Sequence, residues 1–144
     1  MPKIHTSIEI DAPREHVFAA ADPLRMPEWT IHVKEVLVTG GDGKSPGTTD
    51  RTTIQVTPRK NKLESVWTEY TQGQVFSRRF KGYFTGDERL TFSPTDKGTR
   101  VDWTYDYTPP YGPLGMIGAM LVMSRVVQND METSLENLKR AMET

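Results

Sequence analysis

The chain has 144 residues and no cysteine, and its 18 Lys plus Arg against 19 Asp plus Glu leave a formal net charge of −1. The length suits one domain with a real core, and the missing cysteines exclude a disulfide framework, a thiolate metal site and a thiol nucleophile. The balanced charge argues against a surface built to hold a phosphate backbone, and with only 35% hydrophobic residues the placement of the apolar side chains carries the information.

Residues 3–10 put Ile4, Ile8 and Ile10 on one parity and read as a first strand. No apolar run follows a basic start, so no signal peptide is expected. Asp11 and Pro13 signal a helix start, with Val17, Phe18 and Ala21 as its apolar face. Asp22-Pro23 repeats the signal, and Pro27 is expected to stop the second helix quickly. Six strand candidates follow, near residues 31–39, 48–57, 63–71, 75–80, 83–93 and 99–108, separated by short loops that favour antiparallel hairpins.

A helix is expected over residues 113–142, roughly 45 Å long. Ile117, Leu121, Ser124, Gln128, Met131, Leu135, Leu138 and Met142 follow a three-four spacing that predicts its buried stripe. The longest apolar stretch, residues 114–123, is about half the roughly 20 residues of a membrane span, so a cytoplasmic protein without an integral membrane segment is expected. Alanine clusters near the two ends, while most threonines and all three tryptophans lie between, which suggests an α+β domain.

Parity then separates the strand faces. Val101, Trp103, Tyr105 and Tyr107 share one face of the last strand, opposite Arg100, Asp102, Thr104 and Asp106. Phe76, Arg78 and Phe80 share a face, as do Leu90 and Phe92. One sheet face is therefore aromatic, and the last helix, which holds five of the seven methionines, is the element large enough to cover it. Rings and flexible methionines suit either ordinary core filling or the lining of a cavity.

On the cavity reading, the candidate ligand-binding residues are Trp29, Trp67, Glu69, Phe76, Arg78, Phe80, Phe92, Trp103, Tyr105 and Tyr107, with Ile117, Met120, Leu121 and Ser124 from the helix. Arg78 on the apolar parity needs Glu69, Glu64, a bound anion or water. Otherwise a slip in strand phase places it in solvent. Glu69 is a general base if desolvated and a salt-bridge partner if not.

Other signals point away from chemistry. Gly40-Gly41-Asp42-Gly43 lies between strands and lacks the context of a phosphate loop. His5, His16 and His32 are too scattered for a metal site. Arg78 on one face and Arg79 and Lys81 on the other split the charges, which weakens a continuous basic groove for nucleic acid. No catalytic residue, metal or cofactor is assigned. Gly112, Gly115 and Gly118, with Pro109-Pro110, predict a helix end that breathes and gates the cavity.

Ile8-Glu9-Ile10-Asp11-Ala12-Pro13, followed by Glu15, Val17 and Phe18, resembles the opening of the START-like (SRPBCC) superfamily, especially its polyketide cyclase/dehydrase and lipid-transport branch. Asp22-Pro23, Pro27 and Trp29, the loop from Gly41 to Gly47, and Gly98-Thr99-Arg100-Val101 resemble its later blocks. The resemblance implies an α+β helix-grip fold: a curved seven-stranded antiparallel sheet, two short helices after the first strand, and a long C-terminal helix over a cavity. It also implies a hydrophobic ligand such as a lipid, sterol, quinone or polyketide.

Three functions compete: a carrier or sensor, a cyclase/aromatase acting mainly by orienting its substrate, and an interaction module. In the third, a second copy, or transient membrane-surface contact, covers the apolar excess in the first half of the last helix.

Overall fold

The structure is a computed structural model that describes residues 3–56, 58–108 and 116–143, with side chains of the last helix described from Leu121 onward. Strand β1 (Lys3–Ile10) leads into helix α1 (Arg14–Ala21), a 3-10 turn (Pro23–Arg25) and helix α2 (Met26–Trp29). Six strands follow: β2 (Val33–Gly40), β3 (Thr49–Ile54), β4 (Asn61–Thr71), β5 (Val75–Gly82), β6 (Thr85–Pro94) and β7 (Thr99–Thr108). Helix α3 (Met116–Glu143) closes the chain.

The strands form one antiparallel sheet in the order β1-β7-β6-β5-β4-β3-β2. From β2 to β7 each strand pairs with its sequence neighbour, and β1 pairs with β7 from Lys3↔Asp106 to Ile10↔Thr99. Register shifts in β2–β3 and β4–β5 mark bulges that bend the strands. Helix α3 packs along β1 and against α1 and α2, on the sheet's inner face.

Two short-helix expectations change. Asp11 does not cap α1: Pro13 holds the N-cap position with no side-chain cap, and the Asp11 amide donates to Glu143 Oε2 at 2.8 Å. Pro27 does not stop α2 but sits in its first turn, where its missing N–H costs nothing, and the helix runs on to Trp29. Asp22 caps the 3-10 turn, its Oδ1 accepting from the Leu24 amide at 2.9 Å.

The buried face of α3 is Met123, Val127, Met131, Ser134, Leu135 and Leu138. Met131, Leu135 and Leu138 match the expected stripe, whereas Leu121 is 68% exposed and Ser124 and Gln128 are only half-buried. The expected stripe repeats every 3.5 residues, but a straight helix turns once in 3.6 and drifts about 20° per heptad. Followed back from Leu138, its inward face therefore passes to Val127 and Met123. Residues 109–115, with the Pro113 helix start and the Pro109-Pro110 and Gly112–Gly115 gate signals, lie outside the described residues, as do the side chains of Ile117 and Met120.

Candidate functional site: the inner face of the sheet

Strand alternation brings the rings together. Phe76 and Phe80 of β5, Phe92 of β6 and Trp103, Tyr105 and Tyr107 of β7 all point inward, none more than 4% exposed. Trp67 joins them from β4 and Trp29 from α2. Three of the ring pairs meet at tilted or edge angles, with centroids 5.3 Å apart for Trp29–Trp103, 5.1 Å for Phe80–Tyr105 and 5.2 Å for Trp67–Phe76. Phe84, Met26 and His32 belong to the same layer and were not among the sequence candidates.

Within this apolar layer lies a charged centre. Arg78 is 2% exposed, so the phase-slip alternative fails and the strand keeps the register its phenylalanines demand. Its partners are not Glu69 or Glu64. Nε donates to Glu88 Oε1 at 2.8 Å, while Nη1 donates to Asp50 Oδ2 at 3.1 Å and Thr52 Oγ1 at 3.0 Å. Nη2 donates to Met26 Sδ at 3.6 Å. The Trp67 indole donates to Asp50 Oδ2 at 2.7 Å, the Trp103 indole to Glu88 Oε2 at 2.9 Å, and Thr52 Oγ1 to Asp50 Oδ1 at 2.7 Å. Every described partner of the two carboxylates is a donor, as ionised carboxylates require. Burial works against the Arg78 charge, yet Glu88 and Asp50 outweigh it and raise its pKa.

Glu69 lies elsewhere. A bulge at Thr68 sets Trp67 opposite Arg78 and Glu69 opposite Ser77, turning Glu69 out of the Arg78 row. There it accepts from Arg89 Nε at 2.9 Å and Ser77 Oγ at 2.8 Å, and these bonds, Arg89's first, lower its pKa. A half-exposed, ion-paired carboxylate of this kind makes a poor general base. Burial, with Glu88 adding to it, raises the Tyr105 pKa, which keeps its hydroxyl protonated.

Other inner-face polar atoms are open. Trp29 Nε1, His32 Nδ1 and Ser65 Oγ are buried with no hydrogen-bond partner among the described residues. His32 stacks on Trp103, 6.1 Å between centroids, and burial, with Arg78 and Lys34 nearby, lowers its pKa to about 4. At neutral pH it is an uncharged ring. Among the described residues no group of His, Asp and Glu could hold a metal ion.

The helix candidates divide. Ser124 is half-buried, with its Oγ 3.3 Å from the Tyr107 hydroxyl. Leu121 faces outward, but both line a cleft of about 360 Å³ between β1 and α3, together with Lys3, Ile4, Arg125, Gln128 and Asn129. Another cleft, about 470 Å³, opens near Glu64, Val66, Arg79 and Lys81. Glu64 is paired there with Arg51 and Arg79 with Asp87, and Ser65 and Phe80 line the same cleft, so it borders the aromatic layer at Phe80.

A curved antiparallel sheet gripping one long helix, with a ring-lined inner face, defines a helix-grip fold. The sequence matches, over residues 1–143, the family described as polyketide cyclase / dehydrase and lipid transport, and the chain belongs to that family. The Zhui aromatase/cyclase from Streptomyces sp. R1128 superposes with a TM-score of 0.81 at 14% identity, over 99% of this chain and 93% of that one. The TTHA0849 protein from Thermus thermophilus gives 0.77 at 24% identity, over 96% and 95%. CV1439 from Chromobacterium violaceum gives 0.73 at 18%, over 100% and 99%. No curated protein matches the sequence. At these identities the solved structures establish the fold. No helix among the described residues is long and apolar enough to cross a membrane.

Proposed function

We propose that the protein binds a hydrophobic small molecule, such as a lipid, sterol, quinone or polyketide, against the inner face of its sheet and acts as a carrier or sensor. The observation that carries this reading is the junction at Ser124. Ser124 lines the cleft between β1 and α3 and its Oγ lies 3.3 Å from the Tyr107 hydroxyl, so one side chain joins a surface cleft to the aromatic layer. Pockets for apolar ligands combine such a lining with a few convergent polar groups. Binding is favoured over cyclase chemistry because Glu69 and Arg78 are committed to ion pairs. Native mass spectrometry of freshly purified protein tests it: a discrete adduct removed by organic solvent supports the reading, and the bare chain mass under every gentle condition opposes it.

A second reading concerns the same helix. Leu121 and Val122 are 68% and 67% exposed, side by side on α3. A second copy or a membrane surface would cover them. Sedimentation showing only monomer, together with no liposome binding, removes it.

A further inference from the structure

We infer that the buried end of the ligand carries an uncharged oxygen, a carbonyl or hydroxyl, and that a carboxylate is turned away from that end. The inference rests on the ligand-binding reading above and concerns the deep part of the same site.

A lone arginine in an apolar layer suggests an anionic ligand. The partners of Arg78 reverse that expectation. Asp50 and Glu88 contribute two negative charges against one guanidinium, so the centre carries net −1 and is no more than 2% exposed on any member. A further anion beside it would meet like charge in a poorly screened interior and would lose its hydration as well. His32, held neutral by its burial, supplies no compensating cation.

What remains open is hydrogen bonding. A guanidinium has five N–H donors. Four of those of Arg78 go to Glu88, Asp50, Thr52 and the Met26 thioether, and the fifth has no described partner. Among the described residues Trp29 Nε1, a buried donor, has no acceptor, and His32 Nδ1 is buried and unpaired. Both of those rings pack on Trp103, whose own N–H holds Glu88, so the open groups sit one ring from the charged centre. Buried groups left unpaired are costly, and a neutral oxygen satisfies them without adding charge. The exposed cations Lys3 and Arg125 lie at the cleft, where an acid can bind without reaching this end.

The test compares 2-naphthol with 2-naphthoate on the wild-type protein at pH 7.5, reading the indole N–H resonances by ¹H–¹⁵N NMR. The naphthol should move the Trp29 resonance saturably, and the naphthoate should need at least tenfold higher concentration to move it. In a Glu88→Gln protein, which makes the centre neutral, that preference should shrink. If naphthoate moves the Trp29 resonance at the same concentration, the inference fails while the binding reading stands. If neither compound moves any indole resonance, the binding reading fails and takes the inference with it.

Discussion

His32 should make the fold acid-sensitive in a defined window. Its folded pKa is lowered to about 4 by burial first and by the Arg78 and Lys34 charges after it, against about 6.5 in an unfolded chain. Between those values the unfolded state takes up a proton that the folded state refuses, so stability falls as pH falls from about 6.5 towards 4. One pKa unit corresponds to about 1.4 kcal/mol, so the loss from pH 7.5 to 4.5 is about 2–3 kcal/mol from this residue alone. Carboxylates also titrate near the lower end, so the comparison must be internal. Urea unfolding of wild type and His32→Gln across this range isolates the term: wild type should lose about 2–3 kcal/mol more than the variant. Parallel pH profiles for the two proteins would refute the reasoning.

Further perturbations test the layer around it. Arg78→Met leaves Asp50 and Glu88 without their cation and should cost about 3–5 kcal/mol by urea titration, or prevent folding outright; a loss below 1 kcal/mol would show the centre to be solvated. Glu69→Gln removes a half-exposed pair with Arg89 and should change stability by less than about 1 kcal/mol, with apolar-ligand affinity unchanged; a larger loss would return Glu69 to the site. A Cβ on Gly86 would lie 1.9 Å from the Asp106 carbonyl oxygen and 2.7 Å from Tyr107 Cα. Gly86→Ala should therefore cost at least about 3 kcal/mol in thermal unfolding, and a near-neutral result would mean that β6 and β7 sit further apart.

The sheet was legible where alternation is strict. In β7, Val101, Trp103, Tyr105 and Tyr107 are 0–3% exposed, and the observed strand coincides with the expected 99–108. Strand alternation puts Arg78 on the apolar parity, where it is buried, and its partners also carry a signal in the sequence. Glu88 shares parity with Leu90 and Phe92, and Asp50 with Thr52 and Ile54, so each was a charge on an inward face awaiting a counter-charge. Glu69 was not legible, because a one-residue bulge reverses strand phase and nothing in the sequence around Thr68 announces it. Leu121 misled because a heptad pattern can be written through α3, although the straight helix does not keep that face turned inward. In the sequence His32 is one of three scattered histidines, and its role as a neutral ring stacked on Trp103 depends on contacts made across the sheet.

The central claim is that an apolar molecule is held against the aromatic inner face. All three tryptophans of the chain are buried at that face, Trp67 and Trp103 in the sheet and Trp29 packed on it from α2, so their indole N–H resonances report on it. The most direct measurement is a ¹H–¹⁵N NMR titration with the uncharged fluorophore N-phenyl-1-naphthylamine. The account predicts saturation at one molecule per chain, with Trp29 and Trp103 moving most. All three resonances remaining in place up to the solubility limit of the probe would contradict it.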